Sequence, residues 1–254
     1  MNTHSNELKS RCGFTLIEIL VVLALVSLLA ALLLSAFSAV REKSRQTICA
    51  SNLKQIGVAF QMYADDNDHY MPPTVTVNSA NQMITWGDLT LPYTKTKQVY
   101  VCPTDPLQKE QFAGWVISYG YNHHVAGVLG FGVPASDAEN RPKTDGQILK
   151  PSATVLVTDA GTTSTSGLPP LQWPLKDPTP FQIGDAFTHD GDNPSTGMMP
   201  APHARHSGRT NILWADGHVN SLPIEAFYNS PDHLRPGDRF TGISPCLRPD
   251  MGCP

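Results

Sequence analysis

Histidines and carboxylates crowd the stretch around residue 210. His203, His206, Asp216 and His218 lie close together in sequence, and Asp159 ends an upstream apolar run. Imidazole and carboxylate groups hold divalent metals, and the same groups exchange protons near neutral pH. His203, His206, Asp216 and His218 are therefore the candidate metal ligands. The competing reading is structural. Asp216-Gly217 separates two strand-like runs, residues 211–215 and 218–222. Asp-Gly in that place predicts a two-residue type I′ hairpin, which needs positive φ at both central positions. Asp216 and Gly217 then make the turn while His206 hydrogen-bonds to fix the loop before it, and this structural reading is the preferred one. No G-x-S-x-G, H-E-x-x-H, P-loop or dinucleotide fingerprint occurs. The expectation is a protein that is not an enzyme and carries no cofactor.

A second chemically informative group is Glu18, the single charge in residues 14–40. A carboxylate inside a membrane segment costs about 2.5–3.5 kcal/mol at mid-helix and less near an end. Thr15-Leu16-Ile17-Glu18 fits the T-x-x-E capping box, in which the carboxylate serves its own helix. The alternative is a carboxylate that neutralises the N-terminal ammonium of a neighbouring subunit.

The elements that must position these groups follow from periodicity. At about 1.5 Å per residue, residues 14–40 make a helix of roughly 40 Å, long enough to span a bilayer core. The run is far longer than the apolar region of a cleaved secretory signal. Basic residues flank it on both sides, Lys9 and Arg11 before it and Arg41, Lys43 and Arg45 after it, so charge alone leaves its orientation open. Cys49, Leu53, Ile56, Phe60 and Tyr63 then recur at spacings of three and four, one apolar stripe on a polar helix. A single helix from residue 14 to about residue 64 is expected, its outer half packing on a small sheet. Asp65, Asp66, Asn67 and Asp68 read as a solvated turn, because the spacing does not fit a calcium-binding EF-hand loop.

Residues 11–18, Arg-Cys-Gly-Phe-Thr-Leu-Ile-Glu, resemble the prepilin cleavage and methylation signature of type IV pilins and type II secretion pseudopilins. The resemblance implies that a prepilin peptidase cuts between Gly13 and Phe14. It also implies that Phe14 is N-methylated and that Glu18 pairs with a neighbour's Phe14 amine during assembly. Residues 1–13 become the leader, the N-terminus is cytoplasmic, and the rest is a single-pass inner-membrane protein with a periplasmic domain. The implied partners are the peptidase, other pilin-like subunits, secretion machinery and the lipid bilayer. A second resemblance lies at the hairpin: His206, nine residues, then Asp216-Gly217 is similar to the H-x9-DG motif of prepilin-type processing-associated proteins. Cys102-Pro103 and Ser118-Tyr119-Gly120-Tyr121-Asn122 share in it.

Cleavage would remove Cys12 and leave four cysteines. An even number in an exported domain suggests disulfides, and three pairings are possible. Cys49 with Cys102 and Cys246 with Cys253 is the preferred pair set. None of these cysteines forms a C-x-x-C pair, so a structural zinc site is not expected.

Twenty-two prolines and 19 glycines, most of them after Met71, point to short strands and long loops. Strands are expected at residues 98–101, 116–119 and 154–158. The fold class is α+β: a long helix, half transmembrane and half amphipathic, against a small antiparallel sheet. The expected organisation is leader 1–13, transmembrane helix 14–40, periplasmic helix 41–64, globular domain 65–222 and loop-rich tail 223–254. A net charge of −4 excludes a nucleic-acid binder, which needs clustered Lys and Arg. The function expected is a pilin-like structural subunit; the alternative is a membrane-tethered module that binds a ligand or metal.

Overall fold

The computed structural model describes residues 15–105, 117–127, 141–164, 175–177, 182–183 and 198–228. The expected processing residues Gly13 and Phe14, and Cys12, Cys246 and Cys253, lie outside that set. The chain divides into two units, Met1–Arg41 and Glu42–Pro254, and helix α1 (Leu16–Asp66) contributes to both.

In the first unit α1 is apolar on every side. Leu16, Leu20, Leu25, Leu29, Leu33 and Phe37 each expose more than half of their surface. A helix apolar all round is stable only when lipid or other helices cover it. Among the described residues α1 is the one helix long and apolar enough to cross a bilayer. In the second unit the same helix shows a single stripe, with Cys49, Leu53, Ile56 and Phe60 buried and Lys43, Arg45 and Lys54 exposed.

Beyond α1, β1 (Val75–Val77) and β2 (Met83–Thr85) pair as a short antiparallel ribbon. Next come α2 (Trp86–Thr94), the 3-10 turn η1 (Lys97–Tyr100), β3 (Tyr119–Asn122), α3 (His123–Ala126) and the 3-10 turn η2 (Asp145–Gln147). Then follow β4 (Val155–Ser164), β5 (Leu175–Asp177), β6 (Gln182–Ile183), β7 (Met198–Pro202), β8 (Arg209–Trp214), β9 (Val219–Pro223) and α4 (Ile224–Tyr228). The main sheet runs β6-β3-β4-β8-β9, with β5 and β7 both pairing with β4. Its pairs are antiparallel except β3–β6, which is parallel. The α+β class is as expected, but among the described residues the sheet has seven strands and one parallel pair.

The core lies between the α1 stripe and this sheet. Phe60, Trp86, Tyr100 and Tyr121 meet edge to face, the closest pair being Phe60–Tyr121 at 4.7 Å between centroids. Such geometry sets the positive edge of one ring on the negative face of another. Gly57 serves a close approach: a Cβ there would lie 2.9 Å from Leu213 Cδ1. The glycine that costs the helix about 1 kcal/mol thus admits β8 against α1.

Three local expectations fail. Residues 98–101 are not a strand, since Lys97–Tyr100 is a 3-10 turn. Its cause is tertiary: Tyr100 turns into the core, and its hydroxyl sits 2.7 Å from Thr90 Oγ1 and 3.1 Å from Thr94 Oγ1. The strand expected at 116–119 begins at Tyr119. Helix α2 occupies a region read as strands and loops, because Gly87 and Pro92 mask it. The Thr85–Asp88 capping box secures its start, and Lys95 ends it in the left-handed region at φ 60°.

Candidate functional site

At the start of α1 the Thr15–Glu18 capping box is formed. Glu18 Oε2 accepts from Thr15 N and from Thr15 Oγ1, each at 2.8 Å, and Glu18 N donates to Thr15 Oγ1 at 3.3 Å. The carboxylate thus satisfies backbone donors that a helix start leaves without partners.

The hairpin residues separate into two clusters. At the tip, Ala215, Asp216 and Gly217 form the connection: Gly217 N donates to Trp214 O at 2.9 Å and Trp214 N donates to His218 O at 3.0 Å. Only Gly217, at φ 83°, is left-handed, and Asp216 is not. This is a three-residue loop with a glycine bulge, so the type I′ turn expected at Asp216-Gly217 is corrected. Asp216 Oδ1 instead accepts from His218 N at 3.1 Å and faces His218 Nδ1 at 2.6 Å. Burial disfavours the Asp216 carboxylate, but the His218 hydrogen bonds outweigh that and hold its pKa below the ordinary range. The His218 ring stacks on Trp214 at 5.4 Å.

The type I′ geometry appears at the other end of β8. His206 N donates to Arg209 O and Arg209 N to His206 O, both at 3.1 Å. The two residues between, Ser207 and Gly208, have φ of 51° and 82°. Serine in a left-handed position hid this turn from sequence reading.

His206 is buried, and three elements surround its ring. Nδ1 lies 3.0 Å from Glu42 Oε1 on α1, while Nε2 lies 3.5 Å from Asp159 Oδ2 on β4 and 3.4 Å from Cys102 Sγ. Cys102 is disulfide-bonded to Cys49 of α1, with Cα atoms 5.3 Å apart. Asp159 Oδ2 also accepts from Asn211 N at 2.7 Å. Burial opposes protonation of His206, but the hydrogen bonds and charges of Asp159 and Glu42 together raise its pKa above 6.5. Beside it Arg205 pairs with Asp105 at 3.3 Å, both fully buried, and donates to the Ser118 and Ala160 carbonyls.

The candidate four-ligand set is therefore not gathered. His206 and the Asp216–His218 pair stand at opposite ends of β8, roughly 20 Å apart at about 3.3 Å per strand residue. His203 joins the backbone of β4, its N–H donating to Asp159 O at 2.9 Å. Sequence reading missed Glu42, Cys102 as a neighbour of His206, and the Arg205–Asp105 pair; an isolated Glu among basic helix residues carries no signal of a partner 164 positions away.

Both ends of the hairpin dock on α1. His206 meets Glu42, and Lys54 Nζ donates to Gly217 O at 2.6 Å. Twelve helix residues rise about 18 Å, close to the roughly 20 Å that six strand residues cover. The nine-residue spacing between His206 and Asp216 thus matches two anchor points on one helix face. Gln46 Nε2, donating to Ser221 Oγ at 2.8 Å, adds a third between them.

Comparison with known proteins places these features. Residues 8–34 match the family described as "Prokaryotic N-terminal methylation motif". Type II secretion system core protein G of Escherichia coli (strain K12) is 31 % identical over 94 residues, 37 % of this chain and 65 % of that protein. The type IV wide pilus major component PilA4 of Thermus thermophilus is 38 % identical over 58 residues, 23 % of this chain and 44 % of that protein. The chain thus spans less than two thirds of the length of either relative. No solved structure matches the chain significantly. Residues 38–168, just over half of the 254, match a further family profile. The protein is a pilin-like chain that belongs to the family described as "Protein of unknown function (DUF1559)".

Proposed function

We propose that the protein is a structural subunit of a type II secretion or related pilus system, assembling through the first part of α1. The observation that carries this reading is that residues 16–33 are exposed on all sides while bearing one charge, Glu18. Such a surface is covered by lipid before assembly and by neighbouring helices after it. In this reading the chain sits in the inner membrane with its N-terminus cytoplasmic and its second unit periplasmic. Prepilin peptidase cuts between Gly13 and Phe14, and Phe14 is methylated. Glu18 caps its own helix in the unprocessed chain and meets a neighbour's Phe14 amine on assembly, where a buried carboxylate is stable only when paired. His206 and Gly217 hold the hairpin on α1, through Glu42 and Lys54, while Asp216 braces the turn through His218.

Intact mass of the membrane-extracted protein tests the first step. A chain beginning at Phe14 and carrying one methyl group is expected, and a chain still starting at Met1 ends the filament reading. Glu18→Ala tests the second step: the variant should fold and reach the membrane but fail to crosslink to its own kind. Crosslinking at the wild-type level would remove Glu18 from assembly and favour a tethered binding module.

A further inference from the structure

We propose that Cys49, Cys102, Asp159 and His206 form a redox-gated site for a soft divalent cation of the zinc class, closed while the disulfide stands and opened by its reduction. One ligand atom from each of the four residues lies within 4.8 Å of the other three, and all four residues are buried. A tetrahedral zinc with two sulfur, one nitrogen and one oxygen ligand at about 2.0–2.3 Å needs ligand atoms roughly 3.3–3.8 Å apart. The cluster, with its ligand atoms within 4.8 Å of one another, is close to that size.

Two further observations concern the same residues. His206 is oriented as a metal-binding histidine is: Nδ1 faces the Glu42 carboxylate at 3.0 Å, which leaves Nε2 toward Cys102 Sγ and Asp159 Oδ2. A carboxylate on the far ring nitrogen sets the tautomer and strengthens the ligand. Asp159 Oδ1 is buried with no hydrogen-bond partner among the described residues. An orphaned carboxylate oxygen is costly in a protein interior, and a cation bound through the Asp159 carboxylate, whose Oδ2 faces His206, would offset that cost. The cation would join α1, through Cys49, to the Cys102 loop as the disulfide does, so the domain can hold its helix in either redox state.

The opening step balances with a phosphine as reductant. The phosphine supplies two electrons, the S–S bond breaks, and the phosphine leaves as its oxide with the oxygen of one water. The two hydrogens of that water end on Cys49 and Cys102 sulfur. Cation binding then releases both protons to solvent, because the thiolates are the ligands.

The test uses the full chain in detergent with Cys12, Cys246 and Cys253 each changed to Ser, so that only this pair of thiols remains. After phosphine reduction without oxygen, cobalt(II) is titrated as the spectroscopic probe. The expected result is one equivalent bound, with visible bands of a tetrahedral ion and a sulfur-to-cobalt band in the near ultraviolet, all displaced by zinc. The oxidised protein should give none of these bands. Glu42→Gln should weaken cobalt binding roughly 10–100-fold, and His206→Ala should shift the bands toward a three-ligand site or abolish them. A reduced chain that keeps its near-ultraviolet circular dichroism yet stays colourless overturns the proposal. So does a reduced chain that unfolds and is not restored by zinc. If His206→Ala does not fold, the Glu42→Gln titration decides, and unchanged affinity and bands there overturn the assigned geometry.

Discussion

One helix carries two surfaces. Over residues 16–33 of α1 the apolar side chains point in all directions and stay exposed, and over residues 42–66 one stripe of them is buried while Ile48, Val58 and Met62 stay exposed. Backbone geometry is helical in both. The difference lies in what satisfies each surface. The outer stretch finds its cover within the chain, in Tyr121, Trp86, Leu213 and the Cys49–Cys102 bond. The first stretch is uncovered within its own unit, and in the proposed reading lipid or other helices cover it. Periodicity therefore tells where a helix meets its own domain and where it meets something else.

Mutations at matched apolar positions break that contrast most sharply. Phe60→Ala should cost the second unit about 3–5 kcal/mol, since the ring is buried against two aromatics, Trp86 and Tyr121, and leaves a cavity. Leu28→Ala should move the same unfolding midpoint by no more than about 0.5 kcal/mol. Chemical denaturation in detergent, followed by tryptophan fluorescence, measures both; equal effects would refute the division. Next in size is Cys49→Ser with Cys102→Ser. A sequence separation of 53 gives about 4 kcal/mol in the chain-entropy account, and loosening should appear as hydrogen exchange in residues 49–60 and not in residues 16–33.

A smaller effect sharpens the contact between α1 and β8. Gly57→Ala improves helix propensity yet places Cβ at 2.9 Å from Leu213 Cδ1, which is itself fully buried. The net change should be a loss of about 1 kcal/mol, recovered in part by Leu213→Val. A gain in stability on Gly57→Ala would show that the strand yields.

The smallest effect is the pH dependence. The pKa of His206 is raised in the folded state by Asp159 and Glu42 against the opposing effect of burial. A raised pKa means the folded state binds the proton more tightly than the unfolded one. The contribution to stability is complete below the ordinary value of 6.5 and is lost as pH rises through the folded value. Thermal midpoints of the domain should therefore fall as pH rises above 6.5, and His206→Gln should flatten the slope. An equal slope in the variant would place the titration elsewhere.

The hairpin shows how much of the site was legible. Asp-Gly between two apolar-rich runs correctly marked a β8–β9 reversal, because few local sequences reverse the chain so tightly. It did not reveal which end carries the type I′ turn, since Ser207 takes a left-handed φ that no propensity predicts. His206 was visible as a group able to do chemistry. Its neighbours Glu42, Cys102 and Asp159 come from three distant segments, and nothing local in any of them announces the others.

What the sequence determined by itself is what neighbours within a few residues settle: an apolar run long enough for a bilayer, a stripe at helical spacing, the capping box at Thr15–Glu18 and the chain reversal between β8 and β9. These are properties of neighbours within a few residues, where backbone sterics and side-chain period act alone. Tertiary structure decided the rest. It made a 3-10 turn of residues 97–100 by drawing Tyr100 inward, gave Gly57 its purpose through Leu213, and set Glu42 against His206 across 164 positions. In each case the deciding energy is burial and pairing between groups far apart in sequence. That energy exists only once α1 and the sheet have come together.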